Sequence, residues 1–385
     1  MISPFQNLRP EENLLIDLCR LSFNDEQKRI TEEQVAAVSD WDYFIKLANE
    51  HGVVSIVFYI LEQLGLISNI PVDAQATLQK LHLKSLARNT FLIEKFIELT
   101  KSLDHIGIES VALKGIALEP AVYGNKGLRQ MSDIDIYIED KNECLRAWEH
   151  LKNSGYISKP LKSALYNKLL LDYGKHLPDL SKDGISFDLH YSLFDIDQDV
   201  TTISISTNKL NLEIPDYDIH FLYLLKHLND HELVGGSQLR LYLDLVQILT
   251  TTDIDATSNR MIDLAEKLGL KTILFEKLHL LHQIWSIPID EDILNRLTED
   301  QKKKVTNTFL IFLRDPKGQT GINKGARYRK IIRNIPGLRK KFIFLLGDIF
   351  PSLSFMQSRY NTRTRAGACF YYPVRFGKLL LLFIR

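Results

Sequence analysis

Asp133 and Asp135 stand two residues apart in the run SDIDIYI at 132–138, where polar and apolar residues alternate. Period two predicts a half-buried strand, so both carboxylates point to one face. Two carboxylates held that close repel and shift each other's titration unless a cation neutralises them. Ligation by oxygen alone suits Mg2+, completed by water and substrate phosphates. The run GISFDLH at 184–190 alternates in the same way, with Asp188 and His190 opposite Ile185, Phe187 and Leu189. If the two strands are neighbours, Asp188 adds a third carboxylate on the same side. His190 then faces the same cleft and could meet phosphate or acceptor. The plainer reading stays open beside this one: surface strands often carry two acids, and a histidine often serves structure.

The segment before the acids points to phosphate. LKG at 113–115 lies where a short apolar run turns into helical spacing. Gly115 would let a phosphate approach the backbone, and a helix N-terminus supplies N–H donors and a favourable dipole. Lys114 would add a point charge, and Arg129, just ahead of Ser132, a further phosphate contact. These five residues, Lys114, Gly115, Arg129, Ser132 and His190, form the expected nucleotide-binding set. Downstream, His227 and His231 are one turn apart on a predicted helix with Asp230 between them. That spacing could hold a transition metal, but without a third ligand it more often marks a helix contact or a substrate contact. His227, His231 and Arg240 are therefore candidates for touching the acceptor.

Elements that must position these residues follow from periodicity. Apolar spacing of three and four predicts helices over 12–21, 33–50, 54–64 and 74–103. A strand over 110–113, a helix over 116–123, the acid strand, a helix over 141–154 ended by Gly155 and the second acid strand make an α/β unit. Helices return over 219–233, 238–250, 258–268 and 272–285, and the remainder is less regular, with prolines at 316, 336, 351 and 373. The expected organisation is an N-terminal helical region (1–104), an α/β core (105–214), a helical domain (215–315) and a basic, partly helical C-terminal segment (316–385).

Composition bounds the rest. Apolar residues are 45% and charged residues 25% of 385, ordinary for a globular protein with a sizeable core. The cysteines, Cys19, Cys144 and Cys369, match no metal or disulfide spacing. With no secretory signal and no apolar run of membrane-spanning length, a cytoplasmic protein is expected. The formal charge of zero hides an asymmetry: residues 316–385 hold 15 Lys/Arg and one acid, Asp348, leaving 33 basic against 47 acidic residues before them. A basic arm can seek RNA, anionic lipid or a phosphorylated substrate. The aromatic and apolar residues of this one favour packing against the acidic body instead. The densest basic stretch is 324–341, with Arg327, Arg329, Lys330, Arg333, Arg339, Lys340 and Lys341.

The string LKGIALEPAVYGNKGLRQMSDIDIYI at 113–138, with ISFDLHYSL at 185–193, resembles a bacterial family of uncharacterised nucleotidyltransferases in the polymerase-β-like superfamily. KHLNDH at 226–231, Arg240 and Asp244 resemble that family's helical part. The likeness covers about 30–250. The superfamily usually places a second small residue beside the glycine; here Lys114, Gly115 and Ile116 stand in that position, as is typical of the narrower family. The resemblance implies an α+β fold, with a small mixed-sheet core flanked by N-terminal and C-terminal helical regions. It implies catalytic, metal-binding roles for Asp133, Asp135 and Asp188, two Mg2+ ions, an NTP substrate and a biosynthetic acceptor such as a sugar or peptide. In-line attack at the α-phosphorus would release pyrophosphate. A toxin-like enzyme acting on tRNA or protein, or an inactive nucleotide-binding module, would share the same motif order. Loss of Asp133 or Asp135 is expected to abolish turnover and leave the fold intact, because both are expected at a solvent-filled cleft.

Overall fold

The chain opens with helices α1 (Pro10–Leu18), α2 (Asp25–Ala37), α3 (Trp41–Glu50), α4 (Val54–Gln63) and α5 (Val72–Asp104). They are seen in a computed structural model that describes residues 8–124, 126–158, 160–207, 211–318 and 335–384, with 328, 329, 332 and 333. The helix expected over 33–50 is broken at 38–40. Buried Glu11 accepts the N–H groups of Ser39 and Asp40 at 3.2 and 3.0 Å. Asp40 in turn caps α3 by accepting the Tyr43 N–H at 2.9 Å, which satisfies one of the donors a helix start leaves free.

The sheet elements follow: β1 (Val111–Leu113), α6 (Lys114–Ala121), β2 (Asp133–Tyr137), α7 (Lys141–Asn153), β3 (Ile157–Ser158), α8 (Ala164–Tyr173), β4 (Leu180–Lys182), β5 (Ile185–His190), β6 (Thr202–Ser206) and β7 (Asn211–Pro215). Among the described residues they form one mixed sheet in the order β3-β4-β5-β2-β1-β7-β6. β2 lies parallel to β5 and antiparallel to β1, while β1 is parallel to β7. The α+β architecture is as expected, and the two acid strands are neighbours. The sheet is wider than periodicity foretold. β3 and β4 span two and three residues, too short for a pattern, and β6 carries only two apolar residues between Thr and Ser.

One face of the sheet sends Ile134, Ile136, Phe187 and Leu189 into a core shared with Leu92, Phe96 and Leu99 of α5 and Leu151 of α7. Full burial of such side chains stabilises by about 1.5–3 kcal/mol each. The other face meets a helical body built from α9 (Tyr217–Val234), α10 (Leu239–Thr251), α11 (Asn259–Lys267), α12 (Lys271–Trp285), α13 (Glu291–Leu294) and α14 (Glu299–Arg314). These helices share one apolar core with α1, α3 and α4. From Ile134 onward β2 is buried on both faces, Asp135 being 2% exposed beside Ile134 and Ile136 at 0%, while Asp133 at its start is half-buried. The expectation of a half-buried strand at a solvent-filled cleft is corrected for Asp135.

The last segment, expected to be basic and partly helical, carries α15 (Leu338–Ile349), α16 (Leu353–Tyr360), α17 (Arg365–Cys369) and α18 (Tyr371–Ile384). Phe344 and Ile335 form a small core with Tyr166 and Leu169 of α8. Of the basic stretch, 324–327, 330, 331 and 334 lie outside the described residues. Among the described residues no helix is long and apolar enough to cross a membrane.

Candidate active site

β2 and β5 pair in parallel with Asp135 opposite Asp188 and Asp133 opposite Ser186. Parallel neighbours in register show the same face, so the three carboxylates gather on the side that meets α9. β1 brings the third ingredient. It pairs with β2 so that Leu113 opposes Asp135, and the next residue, Lys114, turns into α6 with φ +49°. A left-handed conformation is uncommon and costly for a residue with a Cβ. Here it aims the side chain back over β2, where Lys114 Nζ lies 2.6 Å from Asp135 Oδ1. His190 Nε2 lies 3.0 Å from the same oxygen.

The charges follow from these contacts. Burial alone would raise Asp135, but the Lys114 ammonium and the His190 donor outweigh it and hold the carboxyl far below its ordinary range. Burial likewise opposes the charge on Lys114, and Asp135 overcomes it, keeping the ammonium above the usual lysine range. Burial pushes His190 down to about 4, so at neutral pH its imidazole is uncharged and Nε2–H donates to Asp135. Among the described residues no cation pairs directly with Asp188, and the charge of Lys114 only partly offsets what raises it. Burial, then the charges of Asp135, Asp179 and Asp133, push it up to about 7.

That raised value has a measurable consequence. Between pH 4 and 7 the unfolded chain ionises Asp188 while the folded chain resists, so this residue's contribution to stability is full below about pH 4 and is lost as pH rises through about 7. Without divalent metal, Asp188→Asn should therefore melt above the parent at pH 8 and lose that advantage by pH 4. Equal melting temperatures at pH 8 would refute the assignment.

Asp179 comes from a bulge that the sequence does not announce. Leu180 pairs with Phe187 and His176 with His190, which leaves three residues, 177–179, opposite two, 188 and 189. The extra residue carries Asp179 toward Asp188.

The loop entering β2 is fixed from many sides. Glu119 of α6, fully buried, accepts Gly127 N–H at 2.5 Å and Arg129 N–H at 2.8 Å. Ser55 and Ser85 donate to the Gly127 carbonyl, Asn89 to that of Arg129, and Arg88 to that of Ser132. Arg240 Nη1 donates to the Gln130 carbonyl at 2.6 Å. Arg129 itself turns inward: Nη2 lies 2.7 Å from Asp244 Oδ2 and Nε 3.0 Å from Oδ1, where Tyr123 Oη also donates to Oδ1. Gly115 is small because Arg129 and Met131 cross it; a Cβ there would lie 2.5 Å from Arg129 Nη1 and 2.8 Å from Met131 Cγ.

The structure thus brings Lys114, Asp133, Asp135, Asp188 and His190 together. Ser132 sits at the edge, its hydroxyl donating to Asp133 Oδ1 at 3.0 Å. Gly115, Arg129 and Arg240 form the wall behind, engaged with protein groups. α9 supplies the opposite wall through Tyr223, whose ring lies 6.3 Å from that of His190 and 6.4 Å from that of His227. His231 packs edge-on against His227 at 4.5 Å. Glu119, Asp179 and Tyr223 were missed by the sequence reading; only Tyr223, one turn before His227, carried a spacing signal. Among the described residues no three His, Cys, Asp or Glu side chains converge closely enough to hold a metal as they stand. The donor chemistry still fits Mg2+, since the three acids share a face and Lys114 does not fully offset the burial and neighbouring carboxylates that raise Asp188.

No curated protein and no solved structure matches the chain. The family described as uncharacterised nucleotidyltransferase matches residues 37–286, a span that holds β2, β5, the clamped loop and α9. The fold, the acid pair on neighbouring strands and this match agree, and the chain belongs to that nucleotidyltransferase family.

Proposed function

We propose that this nucleotidyltransferase moves an NMP from an NTP to an acceptor hydroxyl or phosphate on a small biosynthetic intermediate, a sugar or peptide, with Mg2+. An acceptor oxygen forms a bond to the α-phosphorus, the bond to the β-phosphate oxygen breaks, and pyrophosphate leaves. The observation that carries the reading is the register of Asp135 against Asp188, which gathers three acids on one face, with the charges of Asp135 and Asp133 helping to raise Asp188 despite Lys114. Asp133, Asp135 and Asp188 would hold the ions. When bound, Mg2+ supplies Lewis-acid polarisation of phosphate oxygens and neutralises charge.

The chain's own residues do the rest. His190 orients Asp135 by donating to it, and Lys114 carries a positive charge from Asp135 toward an incoming triphosphate. Tyr223 and His227 give the acceptor side a ring-lined wall. Arg240, brought down to about 10 by burial and Arg129, keeps Gln130 and so the start of β2 in place. A second reading, nucleotide binding without turnover, is favoured by one observation: Lys114 and His190 already occupy Asp135 Oδ1.

Incubation with each α-labelled NTP, Mg2+ and panels of sugars, peptides, tRNA and protein separates these readings. Label is expected on a small acceptor with pyrophosphate released in equal amount. Saturable nucleotide binding with no label moved to any acceptor would favour the second reading, and label on tRNA or protein would replace the acceptor class.

A further inference from the structure

The last four helices present a surface that the nucleotidyl-transfer chemistry does not use. Among the described residues, nine of the seventeen exposed large apolar side chains fall within 338–381. They are ordered rather than scattered. On α15 and its end, Leu338, Phe342, Leu346 and Phe350 recur every four residues, 86, 61, 38 and 63% exposed, which makes one stripe along a helix.

The opposite side of α15 is the one that packs. Phe344 stacks on Tyr166 at 5.0 Å, a Cβ on Gly347 would lie 2.7 Å from Tyr166 Cβ, and Asp348 takes Lys162 and Arg375 at 2.6 Å each. Asp348 is the single acid in 316–385, so the acid of this segment is spent inward. α18 lies alongside in the reverse direction, with Tyr372 near Phe350 and Arg375 at Asp348. Phe370, just before α18, and Val374 within it extend the outer surface, 80 and 46% exposed. Arg339 stands within the stripe and Lys378 beside Val374, both exposed.

We propose that this face docks on a lipid bilayer bearing anionic headgroups, the helices lying flat in the interface. An apolar stripe set among cations is the pattern that inserts side chains below the headgroups while the charges meet them. Charge decides the occupant. A second copy would set the exposed Arg339 and Lys378 of one face against the same cations of another, while the one acid of the segment, Asp348, is turned inward and offers them no partner. A nucleic acid would satisfy the cations and leave the stripe wet. Among the described residues no helix is long and apolar enough to cross a membrane, and the stripe runs along the side of α15, which suits a helix lying in the interface plane.

The test is flotation of the full chain with vesicles of phosphatidylcholine alone or with about a third phosphatidylglycerol. The chain is expected to float with the anionic vesicles only and to be released by 0.5 M NaCl, on the order of the loss that screening gives. Arg339→Glu with Lys378→Glu, and separately Leu338→Ser with Phe342→Ser, should each weaken partitioning by about tenfold or more. All four side chains are exposed, so melting temperatures should stay at the parent value; should the serine pair fail to fold, the charge pair still decides. No flotation at low salt, flotation unchanged by either pair, preferential binding of RNA, or a dimer that the serine pair dissolves without changing vesicle binding would each overturn the proposal.

Discussion

Asp135→Ala lowers nucleotidyl transfer by about a thousandfold or more, the scale on which losing a charge-stabilising group at a reacting centre is felt. Unlike the loss expected from sequence alone, it also costs stability. Asp135 is the partner of Lys114, whose side chain is 15% exposed, and a buried ion pair that loses one member leaves an uncompensated charge costing about 3–5 kcal/mol. Lys114→Met added to Asp135→Ala should restore most of the stability and none of the transfer. Denaturant midpoints and single-turnover label transfer read the two effects apart. Transfer by the folded double variant at near the parent rate would remove Asp135 from the reacting centre.

Asp244→Ala should be the most destabilising single change outside the apolar core. It leaves the Arg129 guanidinium buried without its carboxylate, and Tyr123 Oη without its acceptor. The expected loss is again about 3–5 kcal/mol, read as a lowered denaturant midpoint at unchanged slope. Arg129→Met with Asp244→Leu should recover much of it, because a well-packed apolar pair avoids the desolvation that both charges meet. A midpoint within error of the parent for Asp244→Ala would show that the pair does not hold the loop.

Much of the site was legible because its acids sit on strands. Alternation of polar and apolar residues in 132–138 and 184–190 fixes which side chains share a face, and the strands proved to be neighbours. What alternation does not carry is the second layer. Asp135 looked exposed because nothing local says that α9 lies across it. Lys114 looked free for phosphate because its partner is 21 residues away, reached only when β1 turns antiparallel to β2. Arg129 read as a phosphate ligand because its carboxylate is 115 residues distant. Glu119 reads as an ordinary helical acid until the loop folds over it, and Asp179 reaches the site by a bulge. Among the helices, the break at 38–40 had a sequence signal in Ser39 and Asp40 that continuous apolar spacing masked. β6 and β7 had too few apolar residues to stand out.

The clamp on the loop before β2 also sets a timetable. Asp133 is held in place by groups from α4, α5, α6 and α10, and Arg129 finds its carboxylate only when Asp244 has been made. At about 5–20 residues per second, a ribosome adds the intervening 115 residues in roughly 6–23 s. During that interval β2 and β5 can already pair, yet Arg129 remains a charge without a home. The nascent acid strands are thus complete in sequence well before they are complete in structure, and a pause in translation between 130 and 244 would lengthen that exposed interval.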